Sequence, residues 1–329
     1  MSGSRCVSGN GHNPGGNVSK RIATLDIGSN TFLLLISESD GRRVVPLQTG
    51  YGVVRLGEGT DKTGRISEAA MERAMDCLQD FWQNIRAAGC EQVYACGTSA
   101  LRDASNSGDF IERVCRRFGF EIQIIEGRQE ALYSFYGALS DAPETPGPVL
   151  VVDIGGGSTE LSFGDLSGMK SFASLKVGTV RMTERYIRCD PVTEDEVLAL
   201  REAARHQLAG VEFLQQQPGT IIEVDGTGTI LATMALKLEV YDDERIHHMR
   251  LQRAEIEKLT ATLIANTIAD RRKLPGLPAN RADVILAGAL IIDEILKAAG
   301  RDAVTISTRG LRYGMALGVA RGELLAGSC

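Results

Sequence analysis

Histidine is scarce in this chain. The 329 residues contain four, at positions 12, 206, 247 and 248, and none stands in His-Glu-x-x-His or a similar metal-binding spacing. Histidine-based catalysis and a zinc centre are therefore poor expectations. No apolar run approaches the roughly 18 residues needed to cross a bilayer, and residues 1–20 lack the apolar core of a secretory signal. The expectation is a cytoplasmic protein with no membrane partner. The cysteines at 6, 77, 90, 96, 115, 189 and 329 are odd in number and contain no Cys-x-x-Cys pair, so reduced thiols are expected. Lys+Arg 36 against Asp+Glu 42 gives a net charge of -6, which argues against a general nucleic-acid coat and leaves a polyanion only a focused site. Also absent are a Gly-x-x-x-x-Gly-Lys-Ser/Thr loop, an Asp-x-Asp-x-Thr nucleophile and a Gly-x-Ser-x-Gly elbow. P-loop and aspartyl-phosphate chemistry are disfavoured.

What is present is an ordinary globular composition, 43% hydrophobic and 24% charged, with length for about two domains. Residues 1–20, rich in Gly, Ser, Asn and Pro, bury too little to offset the entropy of ordering and read as a flexible tail. From Arg21 three extended segments follow, at 21–27, 31–37 and 43–48, separated by Gly28-Ser29-Asn30 and Asp40-Gly41 turns. Ser67 caps a helix whose Met71, Ala74, Leu78, Phe81, Trp82 and Ile85 recur at helical spacing until Gly89. A strand at 92–96, a helix at 109–118, a strand at 120–125 and a helix at 128–139 complete a β-β-β-α-β-α-β-α order.

A proline-punctuated link, residues 141–147, then restarts the same order with strands at 149–153, 159–163 and 169–176. Thr193-x-x-Glu196 is a capping box opening a long helix, followed by a strand at 221–224 and helices at 230–237, about 253–268 and 281–299. A strand at 304–307 and a helix after Gly310 close the chain. Leu25-Asp26-Ile27-Gly28 corresponds to Val152-Asp153-Ile154-Gly155, with Thr31 opposite Ser158, so the two halves read as a duplication.

The two turns carry the chemistry. An Asp-Gly turn alone is more simply a β-hairpin. Gly155-Gly156-Gly157-Ser158-Thr159 is different, because three consecutive glycines cost entropy and packing between buried strands unless something approaches the backbone closely. Exposed N–H groups in series form an anion nest, and the two hydroxyls add donors, so a phosphate is the natural guest. A third turn, Gly226-Thr227, opens a helix whose N-terminal N–H groups favour anions too. Cys96 through Arg102 fits Cys-x5-Arg, but with no preceding histidine and only one loop glycine a buried structural Cys96 is the better reading. Arg102, read as lying on a loop just past a strand end, suits a phosphate oxygen. The basic run Arg271-Arg272-Lys273 reads as a solvated helix end, and the apolar stretch 284–296 as either core or interface.

Leu25-Asp-Ile-Gly-Ser-Asn-Thr31, Gly97-Thr-Ser-Ala-Leu-Arg-Asp103, Glu126-Gly-Arg-Gln-Glu-Ala131, Val152-Asp-Ile-Gly-Gly-Gly-Ser-Thr-Glu-Leu161 and Ser307-Thr-Arg-Gly-Leu-Arg-Tyr-Gly314 resemble the exopolyphosphatase and guanosine pentaphosphate phosphohydrolase family, from about Arg21 to Gly322. The resemblance implies an α/β fold of two ribonuclease-H-like domains of the actin, sugar-kinase and Hsp70 superfamily, with the active site in the interdomain cleft. Domain I is expected over 21–141 and domain II over 142–329, with a helical insertion and the last helix docking back on domain I. The chain resembles the short two-domain form, without the helical HD-type domain. The resemblance makes Glu130 the general base and Glu160 a second catalytic acid. Gln129 and Leu132 stand where many members carry Glu and Arg.

The resulting expectation is an exopolyphosphatase. A terminal phosphate lies between the turns, held by Asp26, Gly28, Ser29, Asn30, Thr31, Arg102, Gly155, Gly156, Gly157, Ser158 and Thr159, with Gly226 and Thr227 as a further cradle. Mg²⁺ on Asp153 and Glu160 is the expected cofactor, with K⁺ as a candidate activator. Guanosine pentaphosphate hydrolysis, or alarmone binding with little turnover, are the alternatives, and a homodimer is implied by the family alone.

Overall fold

The computed structural model describes residues 20–142, 147–224, 226–325 and 327. All of the expected tail except Lys20, and part of the link, lie outside them. The first half runs β1 (Lys20–Ile27), β2 (Thr31–Ser39), β3 (Val44–Val53), α1 (Glu68–Ala88), β4 (Gln92–Gly97), α2 (Ser99–Asp103), α3 (Ser107–Phe118), β5 (Ile122–Ile124) and α4 (Gly127–Leu139). The second runs β6 (Val149–Ile154), β7 (Thr159–Asp165), β8 (Gly168–Leu175), α5 (Thr179–Tyr186), α6 (Glu194–Leu208), β9 (Thr220–Val224), α7 (Gly226–Leu236), β10 (Arg250–Gln252), α8 (Arg253–Ala265), α9 (Ile285–Ala298), β11 (Ala303–Ser307) and α10 (Leu311–Arg321).

Two sheets result, ordered β3-β2-β1-β4-β5 and β10-β11-β9-β6-β7-β8. In the first, β1–β2 and β2–β3 are antiparallel while β1–β4 and β4–β5 are parallel. In the second, β6–β7 and β7–β8 are antiparallel while β6–β9 and β9–β11 are parallel. Removing the extra edge strand β10 leaves the same topology twice, a duplicated α/β domain as the repeated strand order of the sequence implies. β6 is buried along its whole length, as a strand covered on both faces by helices must be.

Local chemistry sets the element ends. Ser67 accepts the N–H of Ala70 at the start of α1, and Gly89, at φ 64°, ends it in a conformation that costs any other residue more. Met71, Ala74, Leu78, Phe81 and Ile85 of α1 enter the first core. Burying a side chain of this size contributes about 1.5–3 kcal/mol. The stretch at 284–296 is core: every residue of α9 from Ile285 to Leu296 is buried.

Several expectations need correction. Arg102 lies on the short helix α2 rather than a loop. α7 begins at Gly226, so the Gly226-Thr227 turn is itself helical. α9 starts at Ile285, because Ala279–Arg281 forms a 3-10 turn instead. Arg271 is buried, donating through Nε to the Leu263 carbonyl at 2.7 Å, so its basic run is not simply solvated. Cys77, Cys90, Cys96 and Cys189 are free thiols, but Cys115 is disulfide-bonded. An odd count carries no pairing information and could not have shown this. Among the described residues no helix is long and apolar enough to cross a membrane.

After β11 the chain returns to the first sheet. Leu311, Met315 and Val319 of α10 join Ile22, Tyr94 and Cys96 in one core. Thr24 Oγ1 donates to the Arg312 carbonyl at 3.0 Å, and Arg312 Nη1 to the Leu34 carbonyl at 3.0 Å.

Candidate active site

The two turns are built alike. Gly28 N–H donates to the Thr31 carbonyl at 3.2 Å, and Gly155 N–H to the Ser158 carbonyl at 3.0 Å. Each caps a hairpin at the end of a central strand, β1 or β6. The carbonyls of the glycine-rich turn are held from behind by the start of α5: Gly155 accepts from Thr179, Gly156 from Val180 and Arg181, and Gly157 from the Arg181 guanidinium at 2.7 Å. With its carbonyls turned back, the turn presents its N–H groups forward. Among the described residues no backbone carbonyl accepts from Gly156 or Gly157.

The turns face each other closely. A Cβ on Gly156 would lie 3.1 Å from Asn30 Cβ, and one on Gly157 2.5 Å from Ser99 Oγ. Side chains here would push the halves apart, which gives Gly156 and Gly157 their reason. Between them lies a cavity of about 60 Å³, lined by Asp26, Gly28, Ser29, Asn30, Thr31, Glu130, Asp153, Gly155, Gly156, Gly157 and Ser158. Since water takes about 30 Å³, this is room for one small polar group.

Helix α4 brings the carboxylates to this cavity. Glu130, in its first turn where the helix dipole favours an anion, is 7% exposed and accepts from Arg102 Nη1 at 2.6 Å. The same Arg102 nitrogen reaches the Ile125 carbonyl at 2.7 Å, which fixes the guanidinium. Four residues on, Ser134 donates to Asp153 Oδ2 at 2.7 Å. Ser162 of β7 ties down α4 through the Ala131 carbonyl. Gln129 faces solvent and completes the capping box of α4 with Glu126, so its amide does not enter the cleft.

Five expected site residues stand apart from the cavity lining. Arg102 acts through Glu130, as described above. Glu160 is buried on β7 opposite Asp153, 2.7 Å from Ser174 Oγ and 4.0 Å from Arg102. Burial first, and the neighbouring Glu130 charge second, push its carboxyl up to about 8. Thr159 and Thr227 spend their hydroxyls on the carbonyls of Val177 and Ile154. Gly226 lines a neighbouring apolar pocket instead. For the two threonines the expectation of cleft contact is corrected, because a buried hydroxyl must be paired where it is and these carbonyls lie within reach.

Sequence reasoning missed Thr98, Ser99 and Arg281, which line the cavity. Arg281 is 6% exposed, donates through Nη1 to Thr31 Oγ1 at 3.0 Å, and pairs with no carboxylate among the described residues. Burial lowers its pKa from the usual arginine value. A desolvated guanidinium at a glycine-lined cavity is a site for an anion. No local signal marks it, because the Thr31 hydroxyl it serves is 250 residues away in the chain.

Cys96 is fully buried and its thiol is pushed well above the usual value by burial, so the Cys-x5-Arg pattern supplies no thiolate. Asp26 and Asp153 line the cavity as hard oxygen donors of the kind Mg²⁺ accepts with water and substrate phosphate completing its shell. Glu160 does not line the cavity, but it stands directly opposite Asp153 across the β6–β7 pair.

Charges close the halves. Arg181 pairs with Asp61 and, at 2.6 Å, with Asp103; Arg185 makes two bonds to Asp61 at 2.6 and 2.7 Å; Arg55 pairs with Asp283 at 2.7 Å.

The raised Glu160 pKa makes a stability prediction. Folded Glu160 holds its proton up to about 8, whereas an unfolded chain releases it near the ordinary 4.5, so its contribution falls as pH rises between these values. Glu160→Gln should therefore gain stability relative to the parent as pH is raised from 5 to 8 in urea titrations. A constant difference over that range would show that Glu160 ionises normally.

Residues 35–323 match the family model described as the Ppx/GppA phosphatase family. The chain is 32% identical over 317 residues to Exopolyphosphatase 2 of Mycobacterium tuberculosis, covering 91% of this chain and 98% of that one. It is 31% identical over 294 residues to the guanosine-5'-triphosphate,3'-diphosphate pyrophosphatase of Vibrio atlanticus, covering 89% of this chain but 58% of that longer protein. The crystal structure of the Aquifex aeolicus Ppx/GppA member superposes with a TM-score of 0.79 at 32% identity, covering 93% of this chain and 99% of that one.

Proposed function

The chain belongs to the Ppx/GppA phosphatase family, and from that premise we propose that it is an exopolyphosphatase, releasing the terminal phosphate of linear inorganic polyphosphate. The observation that carries this reading is that Glu130 and residues of both turns line one small cavity. The terminal phosphoryl group lies between the turns, its oxygens taken by Gly156, Gly157, Ser158, Thr31 and the Arg281 guanidinium. Glu130 orients a water and accepts its proton as the new P–O bond forms and the bridging P–O bond breaks, the leaving chain taking the electron pair. Arg102 fixes the angle of the Glu130 carboxylate. Mg²⁺ held by Asp153 and Asp26, when bound, would neutralise charge on the leaving chain. Most of the acceleration is placement and charge stabilisation, because phosphoryl transfer asks little covalent chemistry of a protein.

Orthophosphate release from long-chain polyphosphate, with and without Mg²⁺, tests the reading. We expect Mg²⁺-dependent release of one phosphate at a time with progressively shortened chains. Tight binding of guanosine pentaphosphate with no release from any phosphate chain would overturn it in favour of an alarmone-binding regulator.

A further inference from the structure

Asn30, in the turn between β1 and β2, lines the phosphate cavity at 3% exposure. Neither Oδ1 nor Nδ2 of its side chain has a hydrogen-bond partner among the described residues. Its backbone is fixed, because the carbonyl accepts from Val54 N–H at 3.0 Å and from Arg55 N–H at 2.9 Å. Its Cβ faces the glycine-rich turn, 3.1 Å from where a Cβ on Gly156 would stand. Polar side chains around it are engaged: Ser29 Oγ accepts from Ala100 N–H at 3.1 Å, Thr31 from Arg281, Asp153 from Ser134 and Glu130 from Arg102. A buried amide without partners costs free energy twice, once for its donor and once for its acceptor. Which of the two amide atoms points which way does not alter this, since both lack a partner.

The two atoms of the amide need different guests. A phosphate oxygen accepts hydrogen bonds, so it satisfies Nδ2 and does nothing for Oδ1. Oδ1 needs a donor, and the donor that the reaction brings into the cleft is the attacking water. We infer that Asn30 is a further catalytic residue, whose Oδ1 holds one O–H of that water while Glu130 holds the other. The inference rests on the cleft hydrolysing a terminal phosphate. A water held by one acceptor turns about that bond and presents its lone pairs in many directions, whereas a water held by two keeps a lone pair on phosphorus. As the new P–O bond forms, one proton passes to Glu130, and the bridging P–O bond breaks with its electron pair going to the leaving chain. The second hydrogen stays on the attacking oxygen, bonded to Asn30, and leaves as a hydroxyl of orthophosphate. An amide suits this place because it accepts without adding negative charge beside Asp26 and Asp153.

The test is a double-mutant cycle on long-chain polyphosphate, read as the turnover number at saturating substrate and Mg²⁺, with KM alongside. Asn30→Ala keeps the Cβ that faces Gly156 and removes the amide. We expect it to lower the turnover number of the parent about 10²-fold. In the Glu130→Gln background the same change should cost no more than about three-fold, because one water cannot lose its alignment twice. Losses that multiply independently would assign Asn30 to holding phosphate alone and overturn the inference. So would a raised KM with an unchanged turnover number. Urea midpoints give a readout apart from activity: an amide with no partner in the protein adds no stability, so Asn30→Ala should leave the midpoint at or above the parent's. A lower midpoint would show that the amide supports the fold, against the inference. If the parent released no phosphate from polyphosphate of any length, the exopolyphosphatase reading would fall first and this inference with it. Release by the parent together with an additive cycle would remove the role of Asn30 alone.

Discussion

Glu130→Gln is expected to lower the turnover number on polyphosphate by about 10³-fold, within the range that loss of a general base produces, while the KM changes little. The amide keeps the shape and one acceptor for Arg102, so the 2.6 Å contact to the guanidinium survives in weakened form. What it loses is the capacity to take the proton of the attacking water. A second readout follows from the coupling to Glu160. The Glu130 charge is one of the causes that raise Glu160, so removing it should lower the pH at which Glu160 ionises. Phosphate release timed at saturating polyphosphate gives the rate, and urea midpoints taken from pH 5 to 9 give the titration. Turnover equal to the parent's would remove Glu130 from its role, because no other carboxylate shares both the cavity and the first turn of α4.

Much of this arrangement was legible in the sequence, for identifiable reasons. The paired Asp-Ile-Gly turns were readable because hairpins at the ends of central strands need glycine locally, and Gly28 and Gly155 make equivalent bonds to Thr31 and Ser158. α1 was readable because its cap, stripe and terminator are all within the helix. Arg281 was not readable, since Thr31, the group it serves, is 250 residues away. The hydroxyls of Thr159 and Thr227 failed differently: a sequence shows that a donor exists, not which carbonyl lies nearest. The apolar pocket beside Gly226 draws on β2, β3, α7 and α10, so no local window contains its pattern. Gly137 and Gly314 sit inside helices, where local propensity counts glycine only as a loss.

Those two glycines support the remaining prediction. A Cβ on Gly314 of α10 would lie 2.6 Å from the Tyr133 carbonyl carbon, and one on Gly137 of α4 would lie 2.8 Å from that of Gly310. The backbones of α4 and α10 are thus in direct contact, and neither can yield by turning a side chain. Gly314→Ala must move one helix against the other, an overpacking that costs about 1–3 kcal/mol or more. The helix that moves most readily is consequential. α4 carries Glu130 and, through Ser134, orients Asp153; α10 is anchored by its own core on β1 and β4. A displacement of about 1 Å at a catalytic group is enough to cost about 10²-fold in rate. We therefore expect Gly314→Ala to lower both the urea midpoint and the turnover number of the folded protein, although residue 314 touches no part of the cavity. Gly108→Ala supplies the contrast: it lies in the first turn of α3 with nothing within 4 Å of an added Cβ, and should gain stability, by at most about 1 kcal/mol from helix propensity, without altering turnover. If the two variants behaved alike, the contact between α4 and α10 would not be what holds Glu130 in place.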